Sequence, residues 1–231
     1  MKKVVIYGAG PYGKLFFAEA ERWGAIDIVG FTVDSAYLIE NTVFGLPVVP
    51  FEEVEKIYPK EEYDMLVVCG YTRMRNRKEM YDKAKAKGYT LINYISPGAF
   101  LENEPEMGDN NVIFTGATIG HNGKMGSGNI IGQNVYLGHD FELQNHIIIS
   151  VGCVIGGFSK IGSLSFFGFN VTAGGFKKFG EECLVGAGSV VVKDIEPYSK
   201  SYGNPARHAS YHKETGVIIN EVLPADYASK K

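Results

Sequence analysis

The sequence predicts two architectures in succession: an α/β unit built around a glycine-rich strand–turn–helix, then an all-β parallel β-helix of hexapeptide repeats. Three observations carry that expectation. Gly accounts for 29 of 231 residues and Pro for only 9, so the glycines are positional rather than a mark of disorder. From Met107 to Glu196 the chain divides into fifteen gapless hexads, each opening on an apolar residue, with Gly in second place in eleven of them. Ahead of the hexads stands Gly8-Ala9-Gly10-Pro11-Tyr12-Gly13, between a strand-like run and a helix-like one.

The elements follow in chain order. Residues 2–7 read as a buried parallel strand and Lys14 to Trp23 as a helix. Ile26 to Phe31 is a second strand, with Asp34 just beyond it. A G-x-G-x-x-G turn between strand and helix, with an acid about 20 residues on, fits a nucleotide-binding turn. The glycines let the backbone approach a ligand at the helix N-terminus, where amide groups and dipole favour phosphate or hydroxyl oxygens. A purely structural glycine turn is the plain alternative. Met65 to Cys69 is a further strand, ending in Gly70-Tyr71-Thr72. A charged helix spans about Arg75 to Lys87, and Gly88 turns into the strand Thr90 to Tyr94. About 95 residues precede the coils, room for one nucleotide-binding half and not two. The expected domains are therefore 1–96, 97–207 for the coils, and a tail over 208–231.

A period of six is neither the 3.6 of a helix nor the 2 of an ordinary strand. It fits a prism with three flat sides, each one short strand plus a corner. The apolar first residue points inward onto its counterpart eighteen residues later. The second-position Gly is expected both to permit the corner and to let the next coil come close. Fifteen hexads at three per coil make five coils. Phe141, Phe158, Phe166, Phe169 and Phe176 lie off the inward first position. Aromatics outside a narrow core suggest that another subunit covers them, so a trimer is expected.

Composition excludes several classes. Apolar residues make up 45% and charged residues 21%, and net charge is −3, so no basic footprint for nucleic acid is present. No run approaches the roughly 18 apolar residues of a membrane helix. The apolar run Val4 to Tyr7 is too short for a signal-peptide core, so a cytoplasmic protein is expected. Cys69, Cys153 and Cys183 are scattered and read as reduced thiols.

Taken together, Val5-Ile6-Tyr7-Gly8-Ala9-Gly10-Pro11-Tyr12-Gly13, the Leu137-Gly138-His139-Asp140 run and the closing Tyr202-Gly203-Asn204-Pro205-Ala206 resemble a known group. They are similar to nucleotide-sugar acyltransferases of the sialic-acid O-acetyltransferase and bacillosamine N-acetyltransferase family, over residues 2–207. The resemblance implies a Rossmann-like N-terminal domain and a left-handed β-helix. It implies acetyl-CoA as acyl donor, a nucleotide-linked sugar as acceptor, and a homotrimer with active sites between subunits. No metal is expected, and charge and hydropathy set aside nucleic acid and a membrane. A 4-amino-4,6-dideoxy sugar N-acetyltransferase is the expected activity, with sugar O-acetylation as the alternative.

Acyl transfer from a thioester needs a base for the proton of the attacking group, and histidine suits it. Of the five histidines, His139 stands third in its hexad, off the inner stack, with Asp140 directly after it. The family pattern makes His139 the base, Asp140 its carboxylate partner and Gly157 the backbone donor to the oxyanion. It maps donor contacts onto Ile148, Phe169 and Ala187. Relatives carry a histidine where this chain has Ile148, which weakens that contact. The acceptor site maps onto Gly10, Pro11 and Tyr12, then Asp34 with Ser35, then Thr72. Ser35 replaces a second acid of some relatives, and Tyr71-Thr72-Arg73 replaces a Gly-Asn-Asn, so their substrate does not carry over.

Two other readings stand beside this one. A metal-dependent hydratase on the same kind of prism, like the γ-class carbonic anhydrases, would need three meeting histidines, with His121, His139 and His146 as candidates. His121 is eighteen residues before His139 and so falls one coil below it. A non-catalytic nucleotide-sugar-binding trimer is the third reading, and acetyl transfer discriminates it.

Overall fold

The computed structural model describes residues 3–69 and 72–219; Lys2, Gly70, Tyr71 and the tail from residue 220 onward, all used in the sequence reading, lie outside the described residues. The described chain forms two compact units, one over residues 3–92 with 218 and 219, the other over Asn93–Val217.

The first unit is a five-stranded sheet with helices. Its strands are β1 (Lys3–Tyr7), β2 (Ile28–Val33), β3 (Thr42–Val43), β4 (Leu46–Pro50) and β5 (Tyr63–Val67), in the order β3-β4-β2-β1-β5. β1 pairs in parallel with both β2 and β5, and β2 in parallel with β4. A parallel strand covered on both faces reads as a continuous apolar run, and Val4 to Tyr7 are all buried. Helix α1 (Pro11–Trp23) opens with Pro at its first turn and closes on Gly24 in the left-handed region, φ 56°. Two of the turn glycines are there for packing: a Cβ on Gly8 would strike Val68 O, and one on Gly13 would strike Gly8 O. Gly10 differs, since a Cβ there would meet nothing within 4 Å. The β3–β4 hairpin and the short α2 (Val54–Ile57) were not foreseen. Phe44 and Gly45 make its turn with φ 51° and 78°, the positive pair a tight hairpin demands. Helix α3 is Met74–Ala86, close to its expected bounds.

The second unit is a parallel β-helix. Two-residue strands recur every six residues and pair with the strand eighteen residues on, as in Thr118↔Tyr136 and Tyr136↔Val154. They stack into three sheets of six, five and eight strands, which form the three sides of the coil. The repeat starts earlier than the sequence suggested. Tyr94–Ile95 pairs with Val112–Ile113, so the anticipated strand over 90–94 is divided, with only Leu91 bridging Met65. Those first hexads begin at Ile95 and Leu101, carry Pro97 and Pro105, and lack the second-position Gly.

The core lies along the coil axis. First-position residues such as Ile113, Ile131, Ile149, Phe167 and Val185 are fully buried. The fifth position also points inward, with Ala117, Val135, Phe141, Ile147, Cys153, Val171 and Cys183 in the same cluster. Two of the five off-core aromatics are therefore corrected: Phe141 is a core residue and Phe166 is buried. Phe158, Phe169 and Phe176 are exposed, at 42%, 57% and 71%. The burial of Cys153 and Cys183 pushes their thiols up to about 11 and about 12, so neither is a nucleophile at neutral pH.

The corner chemistry also divides differently from the expectation. Second-position glycines keep negative or extended backbones but face the next coil: a Cβ on Gly120 would lie 2.6 Å from His139 N. From Met107 to Glu196 the left-handed residue is the fourth of the hexad in fourteen of the fifteen, Asp194 being the exception, for example Asn122, Asn134, Asp140, Asn170 (φ 54–57°) or Gly116, Gly128. Asn, Asp and Gly adopt that region at least cost.

Buried amides continue this order. Asn129 Nδ2 donates to Asn111 Oδ1 at 3.0 Å, and Asn129 Oδ1 accepts from Ile147 N–H at 2.9 Å. Asn129→Leu keeps the branching at Cγ but leaves that N–H buried without an acceptor. A loss of about 1–3 kcal/mol in denaturant unfolding is expected, and unchanged stability would show that the ladder is dispensable.

The last coil is covered. Ser199–Tyr202 adds to the eight-stranded side and pairs antiparallel with Arg207–Tyr211. Ile195 bridges Phe179 on the five-stranded side, and Val190 exchanges backbone bonds with Gly203 and Ala206 on the six-stranded side.

Candidate active site

The corner that follows the six-stranded side stacks one residue of each coil above the next. Its third positions are His121, His139, Gly157 and Gly175, and its fourth positions are Asn122, Asp140, Phe158 and Phe176. All four of the latter are left-handed, with φ from 54° to 60°. For Asp140 that turn folds the side chain back beside its neighbour, and His139 Nδ1 lies 2.7 Å from Asp140 Oδ2. The hydrogen bond from His139 holds the Asp140 carboxyl below its usual range, aided by Asn122 Nδ2 at 3.4 Å. A carboxylate accepts only, so Nδ1–H donates and Nε2 is the nitrogen left to take a proton.

The ring of His139 has two aromatic neighbours. His121 stacks on it with centroids 5.2 Å apart and planes 10° apart, and Phe158 meets it in a T at 5.0 Å and 86°. Phe158 in turn stacks on Phe176 at 4.7 Å. A Cβ added to Gly157 would lie 3.1 Å from both Nε2 and Cε1 of His139 and 2.9 Å from its carbonyl oxygen. Nε2 thus faces the Gly157 backbone, and among the described residues the Gly157 N–H has no hydrogen-bond partner. The arrangement offers a proton acceptor and a backbone donor side by side on a partly exposed surface, as acyl transfer requires. His121 has a carboxylate of its own: Glu102 Oε2 lies 2.9 Å from His121 Nδ1 and 3.0 Å from its backbone N.

The remaining donor residues lie elsewhere. Phe169 and Ala187 are exposed third-position neighbours on the corner of the eight-stranded side. Ile148 is 1% exposed, on the strand Ile148–Ile149, so its side chain does not reach the surface where a donor would lie. His146 stands at the corner of the five-stranded side, 6% exposed, and so is not gathered with His121 and His139. Nδ1 or Nε2 of those two histidines and an oxygen of Asp140 do lie within 4.8 Å of one another.

In the first unit, Gly10 caps α1, Pro11 is its first residue, and Asp34 and Ser35 follow β2. Ligands of parallel sheets bind at these carboxyl ends. Asp34 Oδ1 accepts from Tyr7 Oη at 2.7 Å and from Lys83 Nζ at 2.9 Å. Burial, together with that carboxylate, pushes the Tyr7 hydroxyl far above its usual range. Ser35 donates its hydroxyl to Glu52 Oε2 at 2.6 Å, which lowers the Glu52 carboxyl. Thr72 is half-buried and its carbonyl accepts from Ile219 N–H at 3.2 Å. Tyr12, on the first turn of α1, is buried at 6% exposure. Tyr7, Glu52 and Lys83 carry no motif that would have marked them in the sequence.

No family model and no curated protein matches the chain. Solved structures do. The acetyltransferase domain of PglB from Neisseria gonorrhoeae FA1090, in complex with acetyl coenzyme A, is 25% identical with a TM-score of 0.81, covering 90% of this chain and 99% of that one. A histidine-to-asparagine mutant of perosamine N-acetyltransferase from Caulobacter crescentus, in complex with CoA and GDP-perosamine, is 23% identical with a TM-score of 0.83, over 91% and 98%. WeeI from Acinetobacter baumannii AYE is 18% identical with a TM-score of 0.79, over 90% and 100%. Over about nine-tenths of its length the chain therefore shares the fold of the PglB acetyltransferase domain and of perosamine N-acetyltransferase.

Proposed function

We propose that this chain is a hexapeptide-repeat acetyltransferase that moves an acetyl group from acetyl-CoA to the amine of a nucleotide-linked sugar. The observation that carries the reading is His139, with Nδ1 tied to Asp140 at 2.7 Å and Nε2 turned to Gly157. The likeness to the PglB acetyltransferase domain in complex with acetyl coenzyme A supports the donor.

In this reading the sugar amine attacks the thioester carbonyl directly, forming the C–N bond while His139 Nε2 takes the amine proton. The Gly157 N–H meets the oxyanion. Collapse breaks the C–S bond, and the departing thiolate takes the proton from His139, which returns neutral. Asp140 keeps the imidazole in the tautomer that accepts at Nε2 and stabilises it while charged.

The donor sites are placed between subunits of a homotrimer of left-handed coils. His139 stands on one corner and Phe169 and Ala187 on another, so one donor meets both sets where corners of two copies adjoin. The exposed Phe158, Phe169 and Phe176 support that packing. Light scattering would show three times the 25.3 kDa chain mass. The first unit is read as a Rossmann-like half domain that takes the nucleotide along Gly10 and Pro11, with Asp34, Ser35 and Thr72 around it. A cytoplasmic protein is consistent with this, and no helix among the described residues is long and apolar enough to cross a membrane.

The experiment is a thiol-release assay with nucleotide-linked 4-amino-4,6-dideoxy sugars, with hydroxyl-only sugars in parallel. Release with the amino sugars supports the proposal, and release with hydroxyl sugars alone turns it to O-acetylation. Silence across both panels removes it. Gly10→Val checks the acceptor half separately. Its Cβ would meet nothing within 4 Å, so the unit should stay folded. Calorimetry should then show acceptor binding weakened at least about tenfold, since the added side chain blocks backbone approach, with acetyl-CoA binding unchanged. Equal binding of the acceptor would move its site away from Gly10.

A further inference from the structure

We propose that His121, held by Glu102, is a positioning residue for His139: its ring stacks on the imidazole of the base and fixes the direction of Nε2. The inference rests on the acetyltransferase reading and deepens it.

The need for such a residue follows from the torsions. The second side-chain torsion of histidine is broad and roughly two-fold, so one hydrogen bond at Nδ1 pins a point of the ring and not its plane. Asp140 supplies that point. The plane is set by the neighbours: His121 parallel to it within 10°, and Phe158 in a T with it at 86°. Register alone would place some side chain one coil below His139. It would not hold that side chain still. Glu102 does, since Oε2 accepts from both the ring and the backbone of His121, at 2.9 Å and 3.0 Å. The bond from His121 lowers the Glu102 carboxyl, as the bond from His139 lowers Asp140. Two imidazole–carboxylate pairs therefore recur one coil apart. Only the upper one faces Gly157, so only the upper one is placed to meet a substrate. The charged and titratable groups around the stack are Glu102, Asp140 and the two imidazoles, with Asn122 and Phe158 as the uncharged neighbours.

The test uses the full-length protein and three variants. His121→Ala removes the ring, and kcat for acetyl transfer should fall about tenfold with both Michaelis constants within about twofold, since a small misplacement of a catalytic group is costly. His121→Phe keeps a ring on the stack and should recover at least half of the wild-type kcat. Glu102→Gln loosens the lower ring and should fall between the two. A merely structural role would lower the amount of folded protein without separating kcat from KM. His121→Ala with wild-type kcat, or His121→Phe as poor as His121→Ala, overturns the inference. The same comparison is read without turnover in the carbon-13 relaxation of the His139 ring Cε1–H, which reports how firmly the ring plane is held. The ring should be fixed in the wild type and in His121→Phe, and mobile in His121→Ala. An equally fixed His139 ring in His121→Ala overturns the inference whatever the protein acetylates. Loss of the acetyltransferase reading itself would instead appear as a wild type that releases no thiol.

Discussion

His139→Ala is expected to lower kcat for acetyl transfer by about 10²–10⁴-fold, the usual contribution of a general base, with little change in the affinity for either ligand. Nε2 is the ring nitrogen that Asp140 leaves free, and it lies beside Gly157. Asp140→Asn should act in the same direction and less strongly, because the shape of the partner survives. Single-turnover thiol release, with both ligands saturating, makes the measurement. Retention of more than about half the wild-type kcat in His139→Ala would show an amine that attacks unaided.

Gly157→Val is expected to be nearly as damaging, by about 10²-fold or more in kcat/KM, through space rather than charge. Even the first carbon of a side chain would lie 2.9 Å from the His139 carbonyl oxygen and 3.1 Å from Nε2. Both backbone and base would have to shift, and the branched methyl groups would fill the approach to the Gly157 N–H. Gly157 has no positive φ, so the cost to folding is that of the 2.9 Å backbone contact alone. A lowered melting temperature together with collapsed turnover per folded molecule is the expected pair of results. Wild-type turnover would show that the acyl group approaches His139 from another direction.

The hexad period was legible because it rests on two residue classes, an apolar first position and a glycine that the next coil crowds. The left-handed fourth position was not, since Asn, Asp, His, Phe, Leu and Glu all occupy it, and no composition marks it. The fifth position hid for the same reason: Ala, Val, Phe, Ile, Cys, Ser and Asn all serve there. That variety is why Phe141 read as a surface residue. In the candidate site the pairing of His139 with Asp140 was visible as adjacency, and His121 as an eighteen-residue echo. Glu102 was invisible because the hexads at Ile95 and Leu101 lack the glycine that would have extended the count to it. Glu52 meets Ser35 across two strands, a contact with no trace in local sequence.

The covered last coil has a consequence for solubility. Every coil presents the same in-register row of amide and carbonyl groups, spaced to accept another strand, and an open row of that kind is a template for growth. Here the segment from Ile195 to Tyr211 occupies that row on all three sides. Deleting this plug would leave Leu184–Val185, Val190–Val191 and Lys178–Phe179 as a bare growing end. Such a chain would associate through those bare edges, turning a discrete molecule into an aggregating one.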